Sequence, residues 1–153
     1  MLGWLDRHAE FNRGRDGLFE FIVQKLTGTH VPTERVLLHG GAYKPLAKVT
    51  VAAPEEQPAL MKEFLDNWYK NMKPCYWYGT HTDKQGSSYF GYWAFEAALV
   101  TVLWDIDDAS YRDHLVYPKD LADWARTHFV APFPQPGPEP EPPRKKSPAI
   151  ENP

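Results

Sequence analysis

Residues 89–104 read YFGYWAFEAALVTVLW, a stretch whose only charged side chain is Glu96. Ser87 and Ser88 stand just ahead of it as N-cap hydroxyls, so a helix is predicted to start there and run to Trp104. On a 3.6-residue period Tyr89, Trp93, Ala97, Val100 and Trp104 share one face, while Tyr92, Phe95, Leu99, Val102 and Leu103 cover the others. A helix that is apolar all round is a buried one, so this element is expected at the centre of the fold. Gly91 within it costs about 1 kcal/mol relative to alanine. That cost predicts close packing against another helix or an aromatic ring.

The flanking segments are helical as well. From Glu56 to Lys73, Leu60, Phe64, Trp68 and Met72 recur every fourth position, with Met61, Leu65 and Tyr69 on the adjoining row. Pro54 and Pro58 suit a first helical turn, where amide donors have no partner in any case, and Pro74 stops the helix. Residues 75–85 are aromatic and rich in turn formers. PKDLADWARTHF at 118–129 predicts a further helix, with Pro118 at its first position, Asp120 at the positive end of the dipole, His128 near the other end, and Leu121, Trp124 and Ala125 as its apolar face. Asp16 to Leu26 has helical spacing, and Pro45 to Ala53 is expected to be helical. No repeat with a period of 20 to 50 residues is visible. The fold class expected is all-α, or nearly so: one compact helical domain round a buried aromatic helix.

The chain has 153 residues, 42% hydrophobic and 14% aromatic, which is enough apolar material for one core and too short for two large domains. No run approaches the roughly 18 to 20 apolar residues of a membrane span, and the N-terminus carries charges where a signal peptide would be apolar. A cytosolic protein is expected. The one cysteine, Cys75, cannot pair within the chain or build a Cys-based zinc site. Residues 1–53 hold 7 Lys/Arg and 5 Asp/Glu, residues 54–130 hold 7 and 12, and the rest hold 3 and 3, so the middle is net −5. Such a surface repels phosphate backbones and attracts basic proteins. Nucleic acid is therefore not expected as a direct ligand.

Nine of the 15 prolines fall in residues 131–153. Proline lacks the amide donor and fixes φ, so a solvated, semi-extended tail is expected there, with a PxxP ligand for an aromatic groove as the alternative. Deleting residues 136–153 should leave the melting temperature essentially unchanged, and a large fall would contradict this reading. The division expected is 1–53 as an abbreviated N-terminal region on the core, 54–130 as the helical domain, and 131–153 as the tail.

Residues that might carry chemistry are few. Glu96, in so apolar a helix, must have a partner, because burying a lone carboxylate costs several kcal/mol. It reads as a structural glutamate accepting hydrogen bonds from Trp, Tyr or His groups, with a catalytic carboxylate of raised pKa as the alternative. Asp105, Asp107 and Asp108 follow the helix and invite comparison with a divalent-cation site. An EF-hand reading fails, since its sixth and twelfth positions are Ser110 and Val116, and no phosphate-cradling glycine-rich loop is present. A solvated acidic loop is the simpler reading. His81 and His114 match no HExxH or HxH pattern, Ser87 and Ser88 lack a GxSxG elbow, and nothing marks Cys75 as an activated thiolate. No catalytic residue, metal or cofactor is expected.

Trp77-Tyr78-Gly79, then Tyr89-Phe90-Gly91-Tyr92-Trp93 with Glu96, then Asp107-Asp108, then Tyr117-Pro118-Lys119-Asp120-Leu121 occur in an order and spacing that resemble the C-terminal domain of the PoNi family. These are bacterial immunity proteins that neutralise polymorphic nuclease toxins of secretion systems. The resemblance runs from Trp68 to Arg126. It implies a helical, non-enzymatic protein of the bacterial cytosol that binds a DNA-degrading toxin, of the type VI secretion kind, and keeps its nuclease centre from DNA. It departs upstream, where family members usually carry a longer helical N-terminal domain. A nuclease groove is basic because it holds phosphates, so Asp105, Asp107, Asp108, Asp113 and Asp120 are the candidate toxin-binding residues. The rival readings are a metal-dependent enzyme using Glu96 with the carboxylates of 105–108, and an adaptor working through the proline-rich tail.

Overall fold

The computed structural model describes residues 13–82, 89 and 91–128. The proline-rich tail and the serines expected to cap the central helix lie outside the described residues. Among those described the chain forms five α-helices and no strand: α1 Gly17–Thr27, α2 Gly40–Val51, α3 Gln57–Asn71, α4 Phe95–Leu103 and α5 Lys119–His128, with a short 3-10 turn at Thr80–Thr82. The expected all-α class is found. Helix α2 packs on α3, α5 packs on α4, and α1 also lies against α4.

Helix α3 follows the fourfold apolar spacing closely. Met61, Phe64, Leu65 and Trp68 are buried on its inner face, and Met72 closes the same row just past its end. Each such side chain contributes roughly 1.5 to 3 kcal/mol by leaving water. Leu18 of α1, Leu46 and Val49 of α2, and Ala97, Ala98 and Val100 of α4 complete the cluster. Helix α1 starts where expected because the Asp16 carboxylate accepts the Phe19 amide at 2.9 Å, and Gly28 in the left-handed region ends it. Inside α1, the buried Glu20 is held by both oxygens to Arg13 Nε at 3.0 Å and by the Gly14 amide at 2.7 Å. Helix α2 begins at Gly40, five residues before the expected start at Pro45. The two leading glycines have little helix propensity, which hid the first turn in the sequence.

The largest departure concerns the aromatic helix. It was expected from Tyr89, but α4 starts only at Phe95, and residues 91–94 run outside any helix. Gly91 sits at φ +99°, and a Cβ there would lie 2.8 Å from the Trp93 indole nitrogen. The glycine is thus required by a non-helical backbone and by a ring folded over it. The Ala94 amide then donates to Val116 O at 2.8 Å, tying the start of α4 to the distant loop before α5. Helix α4 is also not buried all round, since Phe95 and Leu99 face outward. In α5 the expected apolar face is likewise displaced. Leu121 and Trp124 are exposed, and the side turned to the core carries Ala122 and the guanidinium of Arg126. Among the described residues no helix is long and apolar enough to cross a membrane.

Candidate functional site

The acidic loop begins where α4 ends. Asp105 takes φ +52°, a left-handed conformation that aspartate tolerates better than most side chains. The next residue, Ile106, is buried, and its amide donates to Thr101 O at 2.9 Å. This turn sends the three aspartates to different fates. Asp105 and Asp107 are exposed, Asp107 accepting only the Ala109 amide at 3.0 Å. Asp108 is 6% exposed and points inward.

Asp108 Oδ2 is the centre of a buried polar network. It accepts from Arg126 Nη1 at 2.9 Å, from Tyr117 Oη at 3.0 Å and from Arg112 Nη1 at 3.3 Å. Arg112 also makes a two-pronged pair with Asp123 of α5, and Arg126 Nη2 reaches the Ile106 carbonyl at 3.1 Å. Alongside, Tyr111 Oη and Thr101 Oγ1 share a hydrogen bond of 3.0 Å. Burial pushes the Tyr111 hydroxyl up to about 12 and raises the Tyr117 hydroxyl as well, so both remain protonated and Tyr117 donates to Asp108. The network joins the loop to α5 with every charge partnered.

The other candidates lie near the opposite end of α4. Helical rise places Phe95 and Leu103 about 12 Å apart along the axis, so Asp105 and Asp107 do not share a cluster with Glu96. A cavity of about 500 Å³ is lined by Trp93, Phe95, Leu115 and Leu121 together with Asp113 and Asp120. Asp113 pairs with Lys119 at 2.7 Å, and that hydrogen bond holds its carboxyl below the usual range. Both partners are solvated, so the pair contributes little stability. Asp120, exposed in the first turn of α5, has no ion pair among the described residues.

Glu96 does find the kind of partner expected of it. It is half-buried in the first turn of α4, and Trp68 Nε1 donates to its Oε1 at 2.6 Å. Trp68 stacks on Trp77 with ring centroids 5.3 Å apart, and Trp77 meets Tyr92 at 5.5 Å. These residues, with Tyr43 and Trp93, line a second cavity of about 550 Å³. The two cavities share Trp93 and Phe95 as lining residues, so they lie side by side. Sequence reading did not find this aromatic cleft. Its one signal was the density of rings between Tyr76 and Phe95, of which those from Tyr89 onward were read as a buried helix and the earlier ones as a turn-rich segment.

Burial raises the Glu96 carboxyl above its ordinary value of 4.5, and the hydrogen bond from Trp68 only partly opposes this. A carboxyl whose folded-state pKa is raised stabilises the fold fully below the ordinary value and loses that contribution as pH rises through the raised one. Glu96→Gln removes the titration and keeps an oxygen for Trp68. In urea unfolding from below 4.5 to neutrality, the variant should therefore gain on the wild type as pH rises. A constant difference over that range would refute the assignment.

The rival metal-dependent reading needs Glu96 and the loop carboxylates to converge, and they stand at opposite ends of α4. Among the described residues no group of three or more His, Cys, Asp or Glu side chains is placed to hold a metal ion. His81 is engaged with aromatic groups instead, its Nδ1 lying 2.9 Å from Tyr92 Oη.

No curated protein and no solved structure matches the chain. The family model described as PoNe immunity proteins (PoNi), C-terminal, matches residues 14–121. That match starts well upstream of Trp68, where the resemblance in motifs begins, and takes in α1 to α4 and the loop carrying the acidic residues. With well over half of its length inside the match, the chain belongs to the family of PoNe immunity proteins, through that family's C-terminal domain.

Proposed function

We propose that this chain, an immunity protein against a nuclease toxin, protects by covering the toxin's basic nuclease groove with its own exposed carboxylates. The toxin is a DNase of the type VI secretion kind used between competing bacteria, and the encounter takes place in the cytosol, where DNA would be exposed to it. Protection is by binding and needs no turnover.

The observation that carries this reading is the exposure of Asp105, Asp107 and Asp120 with no ion pair to any of them among the described residues. Carboxylates already neutralised by arginines offer a basic partner nothing, and for that reason Asp108 is left out of the docking surface. Exposed Trp93, Phe95, Leu115 and Leu121 supply apolar area beside Asp120. An apolar centre with a charged rim is the usual anatomy of a protein interface.

The test is Asp107→Lys combined with Asp105→Asn, both sites exposed and the asparagine keeping a side chain suited to the left-handed turn at 105, so that the fold is retained. The association rate with the cognate toxin should fall by about tenfold or more, its salt dependence should weaken, and protection of toxin-expressing cells should be lost. Asp120→Lys, measured in the same way, probes the other end of α4. Full protection by all of these variants, stably folded, would overturn the electrostatic reading.

A further inference from the structure

The cleft round Glu96 combines two features that a purely structural site does not need. Its walls are aromatic side chains, among them Tyr43, Trp77, Tyr92 and Trp93, and the one acidic group among its described lining residues is the Glu96 carboxylate. Trp68 donates to Oε1 and the residue's own backbone amide supports the carboxylate, but among the described residues no side chain of positive charge faces it. The cleft opens to solvent at Trp93, which is 46% exposed, and at Tyr76, which is 97% exposed. A carboxylate in such surroundings loses solvation, and no cationic side chain among the described residues pairs with it.

An anion is repelled by Glu96, and a neutral apolar group leaves its carboxylate desolvated without a counter-charge. A cation satisfies every part of the lining, since aromatic faces attract positive charge through their quadrupoles and the carboxylate pairs with it. Between the two common cationic side chains, the guanidinium is planar, weakly hydrated and able to stack on a ring while its edge donates to an oxygen. The ammonium is compact and strongly hydrated, and it gains less from several flat walls.

We propose that the aromatic cleft is a receptor for an arginine side chain, which inserts between the rings and donates to the Glu96 carboxylate. This deepens the reading above and rests on it for the source of the arginine, the basic surface of the toxin. Rigid, partly exposed rings round one charged anchor are typical of the residues that dominate interface energies. Retaining a carboxylate that costs stability at neutral pH is also intelligible if the bound cation returns that cost.

The preference can be measured on the full-length protein without toxin, so its outcome is separate from that of the charge reversal. N-acetyl-arginine methylamide is titrated into nitrogen-15-labelled protein while the indole Nε1–H resonances of Trp68, Trp77 and Trp93 are followed. A saturable shift of the Trp68 and Trp93 signals is expected, weakened about tenfold or more in Glu96→Gln. It should be absent with the isosteric, uncharged citrulline analogue. Trp93→Ala, which removes one wall and leaves the carboxylate, should weaken binding as well, with circular dichroism confirming that both variants are folded. No saturable shift, equal shifts with citrulline, or unchanged affinity in Glu96→Gln would each overturn the proposal. A lysine analogue binding as tightly as arginine would overturn the choice of guanidinium.

Discussion

Asp108→Ala is expected to lower stability by roughly 2 to 4 kcal/mol, because it removes the buried acceptor that Arg126 and Arg112 share and leaves both with half-exposed Asp123 as their counter-charge among the described residues. Tyr117 Oη loses its acceptor too. For a domain of this size that loss corresponds to a fall in melting temperature on the order of 10 °C. Protection would then decline in proportion to the unfolded fraction, whether or not Asp108 ever meets the toxin. Asp107→Ala is the control, since its carboxylate is solvated and accepts only the Ala109 amide. It should cost no more than about 0.5 kcal/mol. Thermal unfolding of the two variants side by side separates the readings, and similar melting temperatures would show that the network does not brace the loop. The contrast also explains why reversing Asp107 and Asp108 together would be uninformative.

Trp68→Ala should be comparably costly for a different reason. The indole, near the C-terminal end of α3, is 3% exposed and stacked on Trp77, and its removal opens a cavity costing roughly 3 to 5 kcal/mol. It also strips Glu96 of its donor at 2.6 Å. Trp68→Phe keeps most of the buried area and loses chiefly that hydrogen bond, so about 1 to 3 kcal/mol is expected. Urea unfolding at neutral pH checks the order. The Trp68→Phe and Glu96→Gln changes should be non-additive, as befits residues in direct contact. Additive losses, or a Trp68→Ala cost below that of Trp68→Phe, would remove the pair from the account of this cleft.

Helices α1, α3 and α5 were legible because each announces itself locally. Asp16 and Gly28 bracket α1, the fourfold apolar row runs through α3, and Pro118 precedes α5. Helix α4 was legible in its existence but not in its start. The aromatic residues 89–93 mimic a helical face as well as any helix does, and the bond that ends the ambiguity joins Ala94 to Val116, 22 residues away. The Glu96 partner was foreseeable in kind, since a lone carboxylate in an apolar run requires a donor. That the donor is Trp68 depends on how α3 and α4 pack.

The acidic loop shows the same boundary most sharply. Asp105, Asp107 and Asp108 have the same side chain within four positions, so the sequence by itself fixes their number and sign, the acidic character of residues 54–130 and the helical class of the domain. Which carboxylate faces the solvent and which the core was decided only by tertiary structure. The choice is made by Arg112 and Arg126, brought onto Asp108 when α5 docks, and by the buried Ile106 that turns the chain between them. Periodicity and capping act within a few residues and can be read along the chain. A buried charge is settled by whichever opposite charge the fold delivers to it, and that partner is distant in sequence.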